Sequence, residues 1–92
     1  MNPENLKLAD LPGLGPKSAE YLSFISIKST EQFMQADPFE LYARLKQHTP
    51  GISLNMLYAM IGAQENIHWQ LIARSRKEEI LMRLDDMGIA PD

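Results

Sequence analysis

The sequence predicts an all-α protein, a compact domain of five to six short helices, and three observations carry that prediction. Glycine and proline punctuate the chain at Pro12-Gly13-Leu14-Gly15-Pro16, at Pro38, at Pro50-Gly51 and at Gly88. Between these points apolar residues recur at helical spacing behind Ser and Asp capping residues. No stretch alternates in the manner of a half-buried strand. At 92 residues, 45% hydrophobic and 23% charged, the chain has material for one modest core, so one domain over 1–92 is expected.

The first element is a tight turn between two helices, within Leu8-Ala9-Asp10-Leu11-Pro12-Gly13-Leu14-Gly15-Pro16-Lys17-Ser18-Ala19-Glu20-Tyr21-Leu22. Gly13 and Gly15 permit positive φ and close approach by another group, Leu14 is placed to plug the core, and Pro16 pre-sets the following helix. Ala19 is small enough for the two helices to cross closely. Such a turn presents backbone N–H groups at the positive end of a helix, which binds phosphate oxygen without reading a base, and Lys17 adds a point charge. Gly13, Leu14, Gly15, Lys17 and Ser18 are therefore the candidate nucleic-acid backbone site. The segment resembles helix-hairpin-helix motifs, and the resemblance continues through Ile27 to Phe33, where it implies a short helix. It implies a non-specific grip on nucleic-acid backbone, a function that some members replace with packing or protein binding. Ser26 stands where such motifs carry Gly, so a left-handed cap on serine is expected, at up to about 1 kcal/mol relative to Gly.

Ser29 is the expected cap of that short helix. Asp37-Pro38-Phe39-Glu40 then gives an N-cap, a first-turn proline and a capping-box glutamate. From 38 to 47, Leu41, Tyr42 and Leu45 share one face while Glu40 and Arg44 pair outside. Ser53 caps a helix from 54 to about 65 that is apolar nearly all round: Leu54, Leu57, Tyr58 and Ile61 form one stripe and Met56, Ala59, Met60 and Ala63 another. This helix is central. Either both stripes are core, or Met56 and Met60 face a partner with their adaptable thioethers. Ser75-Arg76-Lys77-Glu78 reads as a capping box for a last surface helix over 75–87, with Ile80, Leu81, Leu84 and Met87 inward and Glu79 paired to Arg83.

A fainter second copy of the turn lies 38 residues on. Pro12-Gly13-Leu14-Gly15 aligns with Pro50-Gly51-Ile52-Ser53, and Ala19-Glu20-Tyr21-Leu22 with Leu57-Tyr58-Ala59-Met60. Two hairpins joined by a connector helix over 38–47 make a degenerate tandem pair; a chance match of Pro-Gly-aliphatic triplets is the competing reading. Lys17 falls on Asn55 in the second copy, whose phosphate site is the poorer one.

Leu11 to Leu22, the run from Pro50 to Met60, Gly62-Ala63 and Ile67-His68-Trp69 together resemble the C-terminal domain of the TfoX/Sxy competence regulators, from about Leu6 to Leu84. That family is bacterial and all-helical in this domain. The resemblance implies a regulatory module connected with genes for DNA uptake, and no catalytic residues. Longer members carry an N-terminal domain with no counterpart in this sequence, so regulatory activity is carried over only as an expectation. Asn66 replaces a frequent Gly, and Asn tolerates the left-handed conformation.

The residues offer little chemistry. With no cysteine, two histidines and no metal-ligand spacing, neither a metal nor a cofactor is expected. His48 complements a helix C-terminus. Asp85 and Asp86 diverge by about 100° on a helix and have no accompanying base or nucleophile. Trp69 is either a core plug or, with His68, an exposed surface for a base or a peptide. Arg74, Arg76 and Lys77 open a helix, where cations are unfavourable unless an anionic partner or the neighbouring Glu78 and Glu79 relieve them. The net charge of -3 has the wrong sign for a domain coated with phosphate backbone. The expected partners are therefore DNA, held weakly and non-specifically, or a protein, a second copy included, through Met56, Met60 and Trp69. A membrane is not expected, since no long apolar run occurs. Met1 to Asp10 reads as neither signal nor transit peptide, which makes a cytoplasmic location the expectation.

Overall fold

In the computed structural model, which describes residues 7–90, a one-turn 3-10 helix (Leu8–Asp10) precedes six α-helices: α1 (Pro16–Phe24), α2 (Thr30–Gln35), α3 (Pro38–His48), α4 (Leu54–Glu65), α5 (Trp69–Ser75) and α6 (Lys77–Asp86). Their starts follow from local side-chain chemistry. Ser29 Oγ accepts from the Gln32 N–H at 3.1 Å while Gln32 Oε1 accepts from the Lys28 N–H at 2.9 Å, so α2 opens on a reciprocal cap. Asp37 Oδ1 caps α3 through the Phe39 N–H at 2.9 Å, and Ser53 Oγ caps α4 through the Asn55 N–H at 3.1 Å. The α5 cap is a histidine: His68 Nδ1 accepts from the Gln70 N–H at 3.1 Å.

The capping box expected at Ser75 does not form. Ser75 is the last residue of α5 and its hydroxyl donates to the Leu71 carbonyl at 2.6 Å, so α6 starts after a one-residue break at Arg76 with no side-chain cap. Met87 lies beyond α6 and is exposed rather than core.

Three helices end in the same way. Ser26, Asn66 and Gly88 take left-handed φ of 68°, 57° and 77°, and each is followed by isoleucine. The N–H groups of Ile27, Ile67 and Ile89 then turn back five residues to the carbonyls of Leu22, Gly62 and Leu84 at 2.9, 2.9 and 3.0 Å. These are Schellman-type endings, and Ser26 and Asn66 adopt the conformation their places in the sequence call for.

The core forms around α4. Its residues from Met56 to Ala63 are all buried, and α3 and α5 pack on it, with Leu22, Phe33, Tyr42, Leu45, Ile72, Ile80 and Leu84 closing over the rest. Both apolar stripes of α4 are thus core. The two helical ion pairs expected outside are replaced by longer-range bonds. Arg44 donates Nη2 to the Ile25 carbonyl at 2.7 Å, and Arg83 donates Nη2 to Asp37 Oδ2 at 2.7 Å while its guanidinium lies 4.2 Å from the Phe39 ring centroid.

The 38-residue repeat is visible in the backbone. Leu14 N–H bonds Leu11 O at 3.0 Å and Ile52 N–H bonds Thr49 O at 2.9 Å; each turn is followed by a buried aliphatic residue, one extended residue and a helix. Because α3 leads directly into the second turn, it is the first helix of the second hairpin, and the short α2 takes the connecting place expected of 38–47. The turns are not identical. Gly13 has φ 86°, whereas Gly51 lies outside the left-handed region.

Gly15 departs from expectation: its φ is -135° and a Cβ there meets nothing within 4 Å. It serves as an N-cap, not as a strained or crowded position. Replacing it with Ser is therefore expected to leave stability within about 0.5 kcal/mol, whereas Gly13→Ala lowers it by about 1 kcal/mol or more and Ser26→Gly raises it by about 1 kcal/mol. Urea midpoints at constant slope read all three, and equal losses at Gly13 and Gly15 would contradict the assignment.

Gly62 is held by space instead. A Cβ on it collides with the backbone oxygen of Ile67 and stands 3.3 Å from the Trp69 nitrogen, because the chain folds α5 tightly back on α4. Gly62→Ala is expected to cost about 1–3 kcal/mol as the α4–α5 corner is pushed apart. A midpoint unchanged from that of the wild type would show that the corner yields freely.

Candidate functional site

Beside the first turn lies a hollow of about 300 Å³ whose walls come from the two halves of the repeat. On one side stand Lys17, Ser18 and Tyr21 of α1, and on the other Asn55, Met56 and Ala59 of α4. These are the same three helical positions displaced by 38 residues. Gly13 from the turn and Trp69 from α5 complete the lining. The α4 wall recedes, because Ala59 stands where the first copy has Tyr21.

The cationic edge of the hollow is the start of α1. Pro16 has no N–H, and that of Ala19 bonds Gly15 O at 3.0 Å, which leaves the N–H groups of Lys17 and Ser18 at the positive end of the helix beside the exposed Lys17 side chain. Of the five residues expected to form a phosphate site, Gly13, Lys17 and Ser18 line the hollow. Leu14 is instead buried as the plug, and Gly15 caps α1.

Trp69 is half-buried against the core and also forms a wall, with the His68 ring stacked beside it at 6.0 Å between centroids and 24° between planes. The core-plug reading of this tryptophan therefore holds in part, with some of its surface left at the hollow. Met56 is buried but reaches the hollow, while Met60 is fully enclosed and presents no surface to a partner. Tyr21, Asn55 and Ala59 were not among the expected site residues. The signal that reveals them is the repeat, since adding 38 to Lys17, Ser18 and Tyr21 gives the facing wall.

The basic cluster does not extend this site. Arg76 donates Nη1 to both carboxylate oxygens of Glu65, at 3.0 and 2.8 Å, and its Nε to Glu79 at 3.2 Å; the Glu65 bonds hold its guanidinium further above its ordinary pKa. Arg74 sits in the last turn of α5, where a cation is favourable, and only Lys77 opens a helix. Arg74 and Lys77 face a separate hollow of about 430 Å³ shared with Glu78 and Glu79, so its charge is balanced. Among the described residues no group of three or more His, Cys, Asp or Glu is placed to hold a metal ion, and no helix is long and apolar enough to cross a membrane.

The fold recurs elsewhere. A crystal structure of an uncharacterized protein from Listeria monocytogenes superposes with a TM-score of 0.77 at 22% identity, over 95% of this chain and 100% of that one. No curated protein matches the sequence. Residues 4–84, which include the first turn, the hollow and the second turn, match the sequence profile of the TfoX C-terminal domain. The chain belongs to the TfoX C-terminal domain family.

Proposed function

We propose that this chain is a non-enzymatic regulatory module of the competence-regulator kind that contacts nucleic-acid backbone through Gly13 to Lys17. The observation that carries the reading is the pair of α1 N–H groups at Lys17 and Ser18, beside the Lys17 ammonium. Two backbone donors, a helix dipole and one mobile cation suit a phosphate oxygen and are indifferent to base identity. Family membership supports the regulatory part of the reading.

A second reading, a protein-interaction module, draws on apolar side chains left in solvent: Leu71, Phe24 and Met82 are 55%, 54% and 70% exposed. They lie on three different helices, α5, α1 and α6. Sedimentation over a range of concentrations separates the readings, since self-association favours the second.

Anisotropy of a labelled oligonucleotide tests the first reading. Binding is expected at low salt, with a log–log salt slope of about -0.7 to -0.9 for each phosphate neutralised. Lys17→Glu is expected to weaken it about tenfold and to flatten the slope by about one contact. No binding to either single or double strands at low salt would remove this function.

A further inference from the structure

We propose that the hollow between α1 and α4 accepts one unpaired nucleotide of a single-stranded nucleic acid, its base against Trp69 and Tyr21 and its phosphate at Lys17. The inference rests on the backbone reading above and adds the class of nucleic acid. A volume of about 300 Å³ lies at the lower end of the range for ligand sites, roughly 300–1,000 Å³, and fits one flat ring rather than a duplex segment. The walls suit such a ring. Trp69 and Tyr21 supply aromatic surface, Met56 and Ala59 supply apolar contact, and Asn55 carries an amide that both donates and accepts, as base edges do. The indole N–H of Trp69 has no acceptor among the described residues and the group is not fully enclosed, which leaves it available to a ligand.

Position adds to composition. The aromatic walls and the phosphate-binding edge belong to one hollow, so a base and its own phosphate are served together. A duplex keeps its bases stacked inside and offers this hollow nothing but backbone. The chain also carries a net charge of -3, which weakens any mode that relies on many phosphates. Stacking on aromatic rings is sequence-tolerant and far less dependent on salt, so one base held here offsets the scarcity of cations.

Trp69 is the sole tryptophan, and its fluorescence reports the site in the unaltered protein. Titration with a short single-stranded DNA of mixed sequence is expected to quench it saturably, and the matching duplex is not. An abasic strand of equal length, which keeps the phosphates and lacks the bases, is expected to bind about tenfold more weakly. Trp69→Leu, once circular dichroism shows its helices intact, is expected to lower single-strand affinity by about tenfold and leave abasic-strand affinity unchanged. If the abasic strand or the duplex binds as tightly as the normal strand, the base site is refuted while the backbone reading stands. If no strand binds at low salt, both fail. Should Trp69→Leu unfold, the comparison of normal with abasic strands on the wild-type chain decides alone.

Discussion

The fold depends on satisfying helix ends. Each α-helix leaves about four N–H and four C=O groups without an internal partner, and here six helices of 6–12 residues share 84 described residues. In helices this short, end groups are a large share of the backbone. Side-chain caps at Ser29, Asp37, Ser53 and His68 and the left-handed endings at Ser26, Asn66 and Gly88 satisfy part of them. Long polar side chains from distant helices reach others. Gln64 of α4 donates its Nε2 to the Phe33 and Ala36 carbonyls at the end of α2, both at 2.8 Å, and Arg44 of α3 covers the Ile25 carbonyl that ends α1. Asp37 caps α3 with one carboxylate oxygen and receives Arg83 of α6 on the other. The same bonds that terminate helices therefore fix how helices are arranged.

That arrangement explains what was legible in the sequence. The helix class, the central α4, the caps at Ser29, Asp37 and Ser53, and the left-handed Ser26 and Asn66 all follow from signals within a few residues of where they act. The ion-pair readings failed for an energetic reason. An exposed i,i+4 pair contributes about 0.3–0.5 kcal/mol, whereas leaving a shielded carbonyl without a donor costs about 1–3 kcal/mol. A side chain able to reach such a carbonyl goes there. Arg44 finds its carbonyl 19 residues away, whereas Arg83 exchanges the carboxylate of Glu79 for that of Asp37, 46 residues away, where its guanidinium also lies 4.2 Å from the Phe39 ring centroid; local periodicity is silent on both separations.

The candidate site was half legible for a similar reason. Its turn is a local motif, so Gly13, Lys17 and Ser18 stand out directly. The opposite wall has no local signature: Asn55, Met56 and Ala59 read as the first turns of an apolar helix. They become a wall because the second hairpin repeats the backbone of the first, bringing equivalent helical positions face to face. Divergence between the copies then sets the shape. With tyrosine at 21 and alanine at 59, one side projects and the other recedes, and with lysine at 17 and asparagine at 55, charge stays on one side only.

Structural use of arginine also bears on what the molecule can hold. The sequence has nine Lys and Arg residues, four of them Arg. Arg44 is bonded to a backbone carbonyl, Arg76 to Glu65 and Glu79, and Arg83 to Asp37, while Lys46 stands 5.5 Å from the centre of the Tyr42 ring. The stock of cations open to an outside phosphate is smaller than the composition suggests, and of these it is Lys17 that stands at the hollow. Long-range electrostatic capture of a polyanion requires many cations on one face. The proposed binding mode rests instead on short-range fit: one lysine, two helix-terminal N–H groups and an aromatic wall suit a ligand that brings a single phosphate together with something flat to stack.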